Sequence, residues 1–399
     1  MLSSLFKRFS TNRRQRKFRA RLSERLQKEC IELQLSLDQH TPRVIVVKQD
    51  VNEDLYCCAP DADAAEIIQS TLLRTGPVGL FTELAADFRI VKTLDDIECQ
   101  VWQERATELK WDTLEFFSSY RDRIPGRDYG QNRWAIAPES IDWNQYDIVV
   151  SMDVCIPKRI TERYPKTLWA YYIREIKAPS YQLSLQHPAV GQDVVFNHYF
   201  RMAPPKLPSH VVEFPYHLHR PGCFHRLFDI QQSSERRGVF VDHHTMVTMQ
   251  AKWRTALQAF GPIASTIHEG DREVIPTSEK LARRTMDSDL RERLLNSKFF
   301  LITPGQRHVF GTALVEAIAA GCLAIGNPES LREHGFFFTS HTAARTVEEA
   351  IEKMQLLDSD PRRYRIELAH QRELVEYLCY IRPMKQLLVA WRTKVAIDK

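Results

Sequence analysis

Residues 299–332 read FFLITPGQRHVFGTALVEAIAAGCLAIGNPESLR. The apolar run Phe299–Ile302 has the pattern of a strand buried on both faces. Pro304 and Gly305 break that run, and a helical pattern extends from Thr312 to Ala320. Cys322 to Gly326 is a second short apolar run, closed by a Gly-Asn-Pro turn. A strand, a loop, a helix and a further strand make one step of a parallel sheet with helices on its faces.

In such sheets ligands sit outside the carboxyl ends of the strands, which is where the loop 303–311 falls. Gly305 and Gly311 let backbone N–H groups approach an anion closely. The helix start at Gly311 and Thr312 offers unpaired N–H groups and the positive end of the helix dipole. Gln306, Arg307 and His308 add side-chain donors at the same rim. Glu316, one turn into the helix, is placed to accept two hydrogen bonds from vicinal ribose hydroxyls. Together these residues suit a nucleotide mono- or diphosphate. The alternative is an ordinary strand-loop-helix with Glu316 in solvent.

The string VFGTALVEAIAAGCLAIGNP, from Val309, resembles the nucleotide-binding signature of GT-B glycosyltransferases. By that resemblance Glu316 holds the donor ribose, and Gly311 and Thr312 approach the phosphates. Many retaining members carry two glutamates separated by seven residues, and the first of them would fall on His308. This departure leaves retention or inversion open. It also keeps a CMP-linked acidic donor such as Kdo beside the hexosyl donors.

Working outward, the same alternation continues. Gly238–Asp242, Ile263–Ile267 and Phe299–Thr303 read as strands; 244–260, 287–296, 347–357 and 363–395 read as helices, the last broken near Pro383. Towards the amino terminus, strands are expected at 43–48, 78–81, 88–91, 146–152 and 166–174, and helices at 61–75, 99–120 and 158–163. A proline-rich stretch at 203–209 and a polar run at 231–237 mark a boundary. The expected organisation is a helical segment 1–40, a Rossmann-like acceptor domain 41–230 and a Rossmann-like donor domain 231–399 with a C-terminal crossover helix. The fold class is α/β, two doubly wound domains facing across a cleft.

Residues 1–28 carry ten Lys or Arg and one Glu, so the rest of the chain, which totals +4 with them, is mildly acidic. A helix over 12–37 places Phe18, Leu22, Leu26, Cys30, Leu33 and Leu37 on one stripe. Two readings stand: attachment of residues 1–37 to an anionic membrane surface, or a solvated helix packed on the body or a partner. No apolar run spans a bilayer and no secretory signal is read, so the expected location is cytoplasmic, with or without peripheral attachment at the inner membrane face. The eight cysteines are scattered without a CxxC pair, in keeping with reduced thiols.

Further candidates follow strand ends. Asp153 is a general base or nucleophile, or else a turn aspartate. Arg174, Glu175 and Lys177 are contacts for an acceptor or a phosphate, or a surface ion-pair cluster. Asp242, His243 and His244 end another strand, with His243 in an acid–base role and His244 as a phosphate or acceptor contact. His210, His217, His219 and His225 lack partners at zinc spacing, and Asp61-Ala62-Asp63 reads as a helix N-cap, so no cofactor and no essential metal is expected.

The expected activity is transfer of a sugar from a nucleotide-sugar donor to a hydroxyl of a glycan or lipid-linked glycan, in lipopolysaccharide, O-antigen or capsule synthesis. The rivals are a sugar-nucleotide epimerase on the same fold, and a non-catalytic scaffold binding nucleotide or nucleic acid. The acidic body argues against nucleic acid.

Overall fold

The computed structural model describes residues 2–49, 80, 83–91, 135–152, 156, 158–173, 193–197, 211–213, 236–241, 246, 249–265, 293–302 and 312–397. The chain divides into two compact α/β units. One comprises Thr41–Leu218, Gly270–Asp287 and Pro383–Lys399; the other comprises Met1–His40, His219–Glu269 and Ser288–Arg382.

The unit that begins at Thr41 contains β1 (Val44–Gln49), β2 (Asp87–Val91), β3 (Ala135–Ile136), β4 (Ile148–Met152), β5 (Leu168–Ile173), β6 (Val194–Asn197) and β7 (Val211–Glu213). They form one sheet in the order β3-β2-β1-β4-β5-β6-β7, with every pairing parallel. This is Rossmann-like: the order reverses between β1 and β4. In β1, Val44 is 3% exposed and Ile45, Val46 and Val47 are at 0%. Burial of consecutive residues means that both faces are covered. On one face Trp143 and Trp169 meet edge to face, ring centroids 5.3 Å apart.

The strand expected at 78–81 is a correction: Leu80 is helical. Leu80 and Leu84 are both buried, at 0% and 5%, four residues apart. A short apolar run does not separate strand from helix, and here the i, i+4 spacing decides. Ala85 ends this turn at φ 48°, and the Ala86 N–H donates back to the Leu80 carbonyl. Strands β3, β6 and β7 were not anticipated; β7 lies inside the expected boundary region.

The other unit holds β8 (Val239–Val241), β9 (Ile263–Ser265), β10 (Phe299–Ile302) and β11 (Leu323–Gly326), in the order β11-β10-β8-β9, again all parallel. Val239, Val241, Phe299, Leu301, Leu323 and Ile325 pack against Leu257, Ala350, Met354 and Leu357. Those partners come from helices Ala251–Gln258 and Val347–Asp358. Thr346 caps the second of these by accepting from the Glu349 N–H at 3.1 Å. Gly238 precedes β8 at φ +95°, and a side chain there would meet the Pro262 backbone.

In chain order the helices used below are α1 (Leu2–Gln39), α2 (Lys158–Thr161), α3 (Ala251–Gln258), α4 (Thr312–Ala320), α5 (Val347–Asp358), α6 (Pro361–Glu376) and α7 (Arg382–Ile397). Helix α1 starts ten residues before the sequence suggested. Leu26, Leu33 and Leu37 of its stripe are buried, at 7%, 3% and 7%. They are covered by the protein itself, because α1 packs on α6 and the turn after it. Ser23 Oγ lies 3.4 Å from Glu373 Oε1, and the Arg25 guanidinium sits 5.8 Å from the Tyr377 ring centroid.

The break expected near Pro383 takes the form of a π-helical turn, Tyr377–Ile381, between α6 and α7. The Arg382 N–H bonds back to the Tyr377 carbonyl, five residues away. Proline cannot donate to the carbonyl four residues back and its ring crowds it; the wider turn makes room.

Strand β11 is an edge strand, and its outer backbone is closed by a side chain. Gln371 Nε2 donates to the Ala324 carbonyl and Gln371 Oε1 accepts from the Ala324 N–H, each at 2.8 Å. Gln371 is 1% exposed, so Gln371→Leu would leave both backbone groups buried and unpaired. The expected loss is about 2–4 kcal/mol by urea unfolding. A loss below about 0.5 kcal/mol would mean that the bridge is dispensable.

Candidate functional site

The carboxyl ends of β8 and β10 flank the point where the order of the second sheet reverses, because β8 pairs with β9 on one side and β10 on the other. Strand β8 ends at Val241 and β10 at Ile302. Asp242, His243 and His244 follow the first in sequence, and 303–311 follow the second. Those residues, including Gly305, Gln306, Arg307, His308 and Gly311, lie outside the described residues. So do Asp153, which follows the end of β4 in sequence, and Arg174, Glu175 and Lys177, which follow β5. His210, His217, His219, His225, Asp61 and Asp63 lie outside them as well.

Two predicted residues are placed. Thr312 is the first residue of α4, and Glu316 lies one turn in. From Leu314 on the helix is buried: Leu314 is 3% exposed, and Val315, Ala317, Ile318, Ala319 and Ala320 are at 0%. A helix apolar on all sides belongs in a core. Glu316 is its single charged residue and is only 1% exposed. The reading of Glu316 as a solvated surface group is therefore corrected. A carboxylate this buried is costly unless it is matched by donors.

A polar layer the sequence reading missed lies on α6. Glu367 (0% exposed), His370 (5%) and Gln371 (1%) are buried, and α6 packs on both α4 and β11. Thr339 Oγ1 donates to Glu367 Oε2 at 2.8 Å, and the Thr339 N–H donates to Thr342 Oγ1 at 3.0 Å. The Gly326 N–H donates to the Thr342 carbonyl at 3.1 Å, tying this layer to the carboxyl end of β11. The spacing 367, 370, 371 was visible in the sequence. It puts the three on one face of α6, and that face is inward.

The amino end of the same sheet is closed differently. Tyr364 Oη donates to the carbonyls of Lys298 (2.7 Å) and Gly321 (3.1 Å). Cys322 Sγ lies 3.2 Å from the Leu294 carbonyl and 3.3 Å from that of Ser297. Arg236 donates through Nη2 to the Ala320 carbonyl at the end of α4. Burial pushes the Cys322 thiol up to about 12, an effect that the nearby Arg236 charge opposes. Burial likewise raises Tyr364.

Among the described residues no group of three His, Cys, Asp or Glu is arranged to hold a metal ion. No described helix is long and apolar enough to cross a membrane.

No protein-family model matches the chain, and no curated protein matches it. Several solved structures resemble it. T4 phage β-glucosyltransferase aligns with a TM-score of 0.41 and 10% identity over 88% of this chain and 99% of its own. Anabaena HepE in complex with UDP aligns at 0.41 and 10% over 87% and 98%. UDP-GlcNAc 2-epimerase from Neisseria meningitidis, bound to UDP-GlcNAc, aligns at 0.39 and 10% over 88% and 100%.

Two outcomes test this description. Replacing the buried Glu316 by Ala should cost about 1–3 kcal/mol in urea unfolding, whereas Glu316→Gln keeps an acceptor and should cost little. Equal, negligible losses would show that the carboxylate is not matched internally. Separately, only the thiolate is alkylated, and a thiol raised to about 12 is almost wholly protonated at pH 8. Iodoacetamide should modify Cys322 about a thousandfold more slowly in the native protein than in urea, with the native rate climbing as pH rises. Comparable rates, read by peptide mass spectrometry, would contradict its burial.

Proposed function

We propose that the chain is a glycosyltransferase of the GT-B type, with its nucleotide-sugar donor held at the carboxyl end of the second sheet. The observation that carries this reading is the β10–loop–α4 unit. It stands at the point where the strand order reverses, and it holds one charged side chain, Glu316, in an otherwise apolar buried helix. The glycine-containing sequence 303–311 between strand and helix supports it, as does the resemblance of residues 309–328 to the donor signature.

In this reading the backbone N–H groups of Gly305, Gly311 and Thr312 hold the phosphates, helped by the positive end of α4. Glu316 accepts from the ribose hydroxyls. Arg307 and His308, with Gln306, neutralise the leaving phosphate as the glycosidic bond to it breaks, which is where charge develops in the transition state. Asp153 or His243 removes the proton from the attacking acceptor hydroxyl. Arg174, Glu175, Lys177 and His244 contact the acceptor or a donor phosphate. The acceptor is a glycan hydroxyl, lipid-linked in envelope polysaccharide synthesis. The donor is a hexosyl nucleotide, or a CMP-linked acidic sugar if His308 pairs with a sugar carboxylate. No cofactor is assigned.

The test is a thermal-shift series with UDP, GDP, CMP and their sugars on the intact chain. A ligand at a hundred times its Kd adds about 2.7 kcal/mol, which is several degrees in Tm. One base should raise Tm, and Glu316→Gln should abolish that rise while keeping the unliganded Tm. Absence of any shift at millimolar nucleotide would remove the donor site. Nucleotide release that needs no glycan acceptor would favour an epimerase instead.

A further inference from the structure

Helix α4 is held from behind, at the end opposite Thr312. Arg236 donates through Nη2 to the carbonyl of Ala320, the last residue of the helix. Gly321 follows at φ +102°, and a side chain there would lie 2.6–2.9 Å from the guanidinium atoms of Arg236. The guanidinium is therefore packed directly on the Gly321 backbone, in space that a glycine leaves open. Arg236, α4 and Gly321 all belong to one unit.

Capping alone does not require a charge here. The next carbonyl, that of Gly321, is closed by a neutral donor, the Tyr364 hydroxyl, at 3.1 Å. A guanidinium carries five N–H donors. In Arg236 Nη2 is engaged, while Nη1 is inaccessible and has no hydrogen-bond partner. Among the described residues no carboxylate pairs with it. A partly buried cation without a counter-ion is costly, so the stability of the turn does not account for it.

The charge acts along the helix axis. A helix carries about half a positive unit charge at its amino end and half a negative one at its carboxyl end. A cation on the Ala320 carbonyl cancels the negative end and leaves the positive end, at Thr312, unopposed. Glu316 works the other way: it is the one charged side chain of α4, it is 1% exposed, and its carboxylate repels an anion at Thr312. Arg236 offsets that repulsion. The nine residues of α4 span about 14 Å, a distance over which charges in a protein interior still interact. We propose that Arg236 is a positioning residue for the donor phosphates, acting through α4. Its charge sets how strongly the site prefers a nucleoside diphosphate to a monophosphate. This rests on the donor reading given above and adds to it a residue at the far end of the helix.

Isothermal titration of the full-length protein with uridine, UMP and UDP, and with the guanosine and cytidine sets in parallel, tests it. Two neutral variants are used: Arg236→Gln keeps an amide donor for the Ala320 carbonyl, and Arg236→Met keeps only bulk, so one folded variant suffices. Each should weaken binding about fivefold for each unit of phosphate charge, most for the diphosphate and not at all for the nucleoside. Arg236→Lys keeps the charge and should stay within about twofold of the wild type. Tyr364→Phe removes a neutral hydrogen bond from the same turn and should leave the ranking of the three ligands unchanged. An equal loss for diphosphate, monophosphate and nucleoside would reduce Arg236 to a structural cap and overturn the proposal. So would an unchanged affinity in the neutral variants, or a loss in Arg236→Lys as large as in Arg236→Gln. In all three cases the wild type binds nucleotide and the donor reading stands. A wild type that binds none of the nine compounds removes the donor reading, and this inference with it.

Discussion

The second unit depends on β10 pairing with β8, which leaves β9 on the far side of β8. Parallel strands need crossover connections, and these are right-handed. A chain that steps from β8 out to β9 and then returns past β8 must therefore place its next helices on opposite faces. Leu257 of α3 shares the cluster of Val239, Val241 and Phe299, whereas α4 packs on β10, β11 and α6. The amino ends of connections on opposite faces diverge between the two central strands. The site is thus a consequence of strand order before it is a matter of any particular side chain.

Much of this was legible because it rests on local rules. The bounds of α4 were read correctly at Thr312 and Ala320, where a glycine-rich turn precedes the helix and Gly321, at φ +102°, ends it. Strand β4 was read because Ile148, Val149 and Val150 are consecutive and β-branched. What stayed hidden depends on partners distant in sequence. Leu80 looked like a strand residue until Leu84 was seen on the same buried face. Glu367, His370 and Gln371 are polar, and residue type alone does not mark them as buried. Their role becomes visible only once β11 is an edge strand whose Ala324 backbone needs a donor and an acceptor. Of the proposed site, the sequence named the type of each residue, and the described structure fixes Thr312 and Glu316.

The helical run from Pro361 onward shows how a local defect is absorbed rather than obeyed. Pro383 removes one backbone donor, and a sequence rule predicts a break there. Instead the chain widens into a π turn, whose Leu378, Cys379, Tyr380 and Ile381 are all buried, at 3% or less. Burial on that scale, about 25 cal/mol for each Å² of apolar surface, outweighs one missing hydrogen bond. Arg382 belongs to one unit and Pro383 to the other, so one of the chain's passages between them follows directly after this turn. Lys394 of α7 then pairs with Asp193 at 2.5 Å, and the same Asp193 carboxylate accepts the Trp169 N–H at 2.8 Å. The C-terminal helix is thereby fixed to strand β5 of the first sheet.

The two ends of the second sheet show different uses of polar groups. At the amino end the protein satisfies itself: Tyr364, Cys322 and Arg236 each engage backbone carbonyls of the turns they close. At the carboxyl end α4 begins with unpaired N–H groups, as every helix does, and the preceding residues are glycines and cationic or amide side chains rather than an N-capping carboxylate. A carboxylate in that loop would neutralise the helix dipole from within. In the donor reading proposed above, Arg307 adds to its positive sign and a donor phosphate supplies the neutralising charge. Glu316, one turn into α4 and 1% exposed, is the one acidic side chain of that helix. In that reading a nucleotide sugar answers both demands, with its phosphates at the start of α4 and its ribose hydroxyls at Glu316.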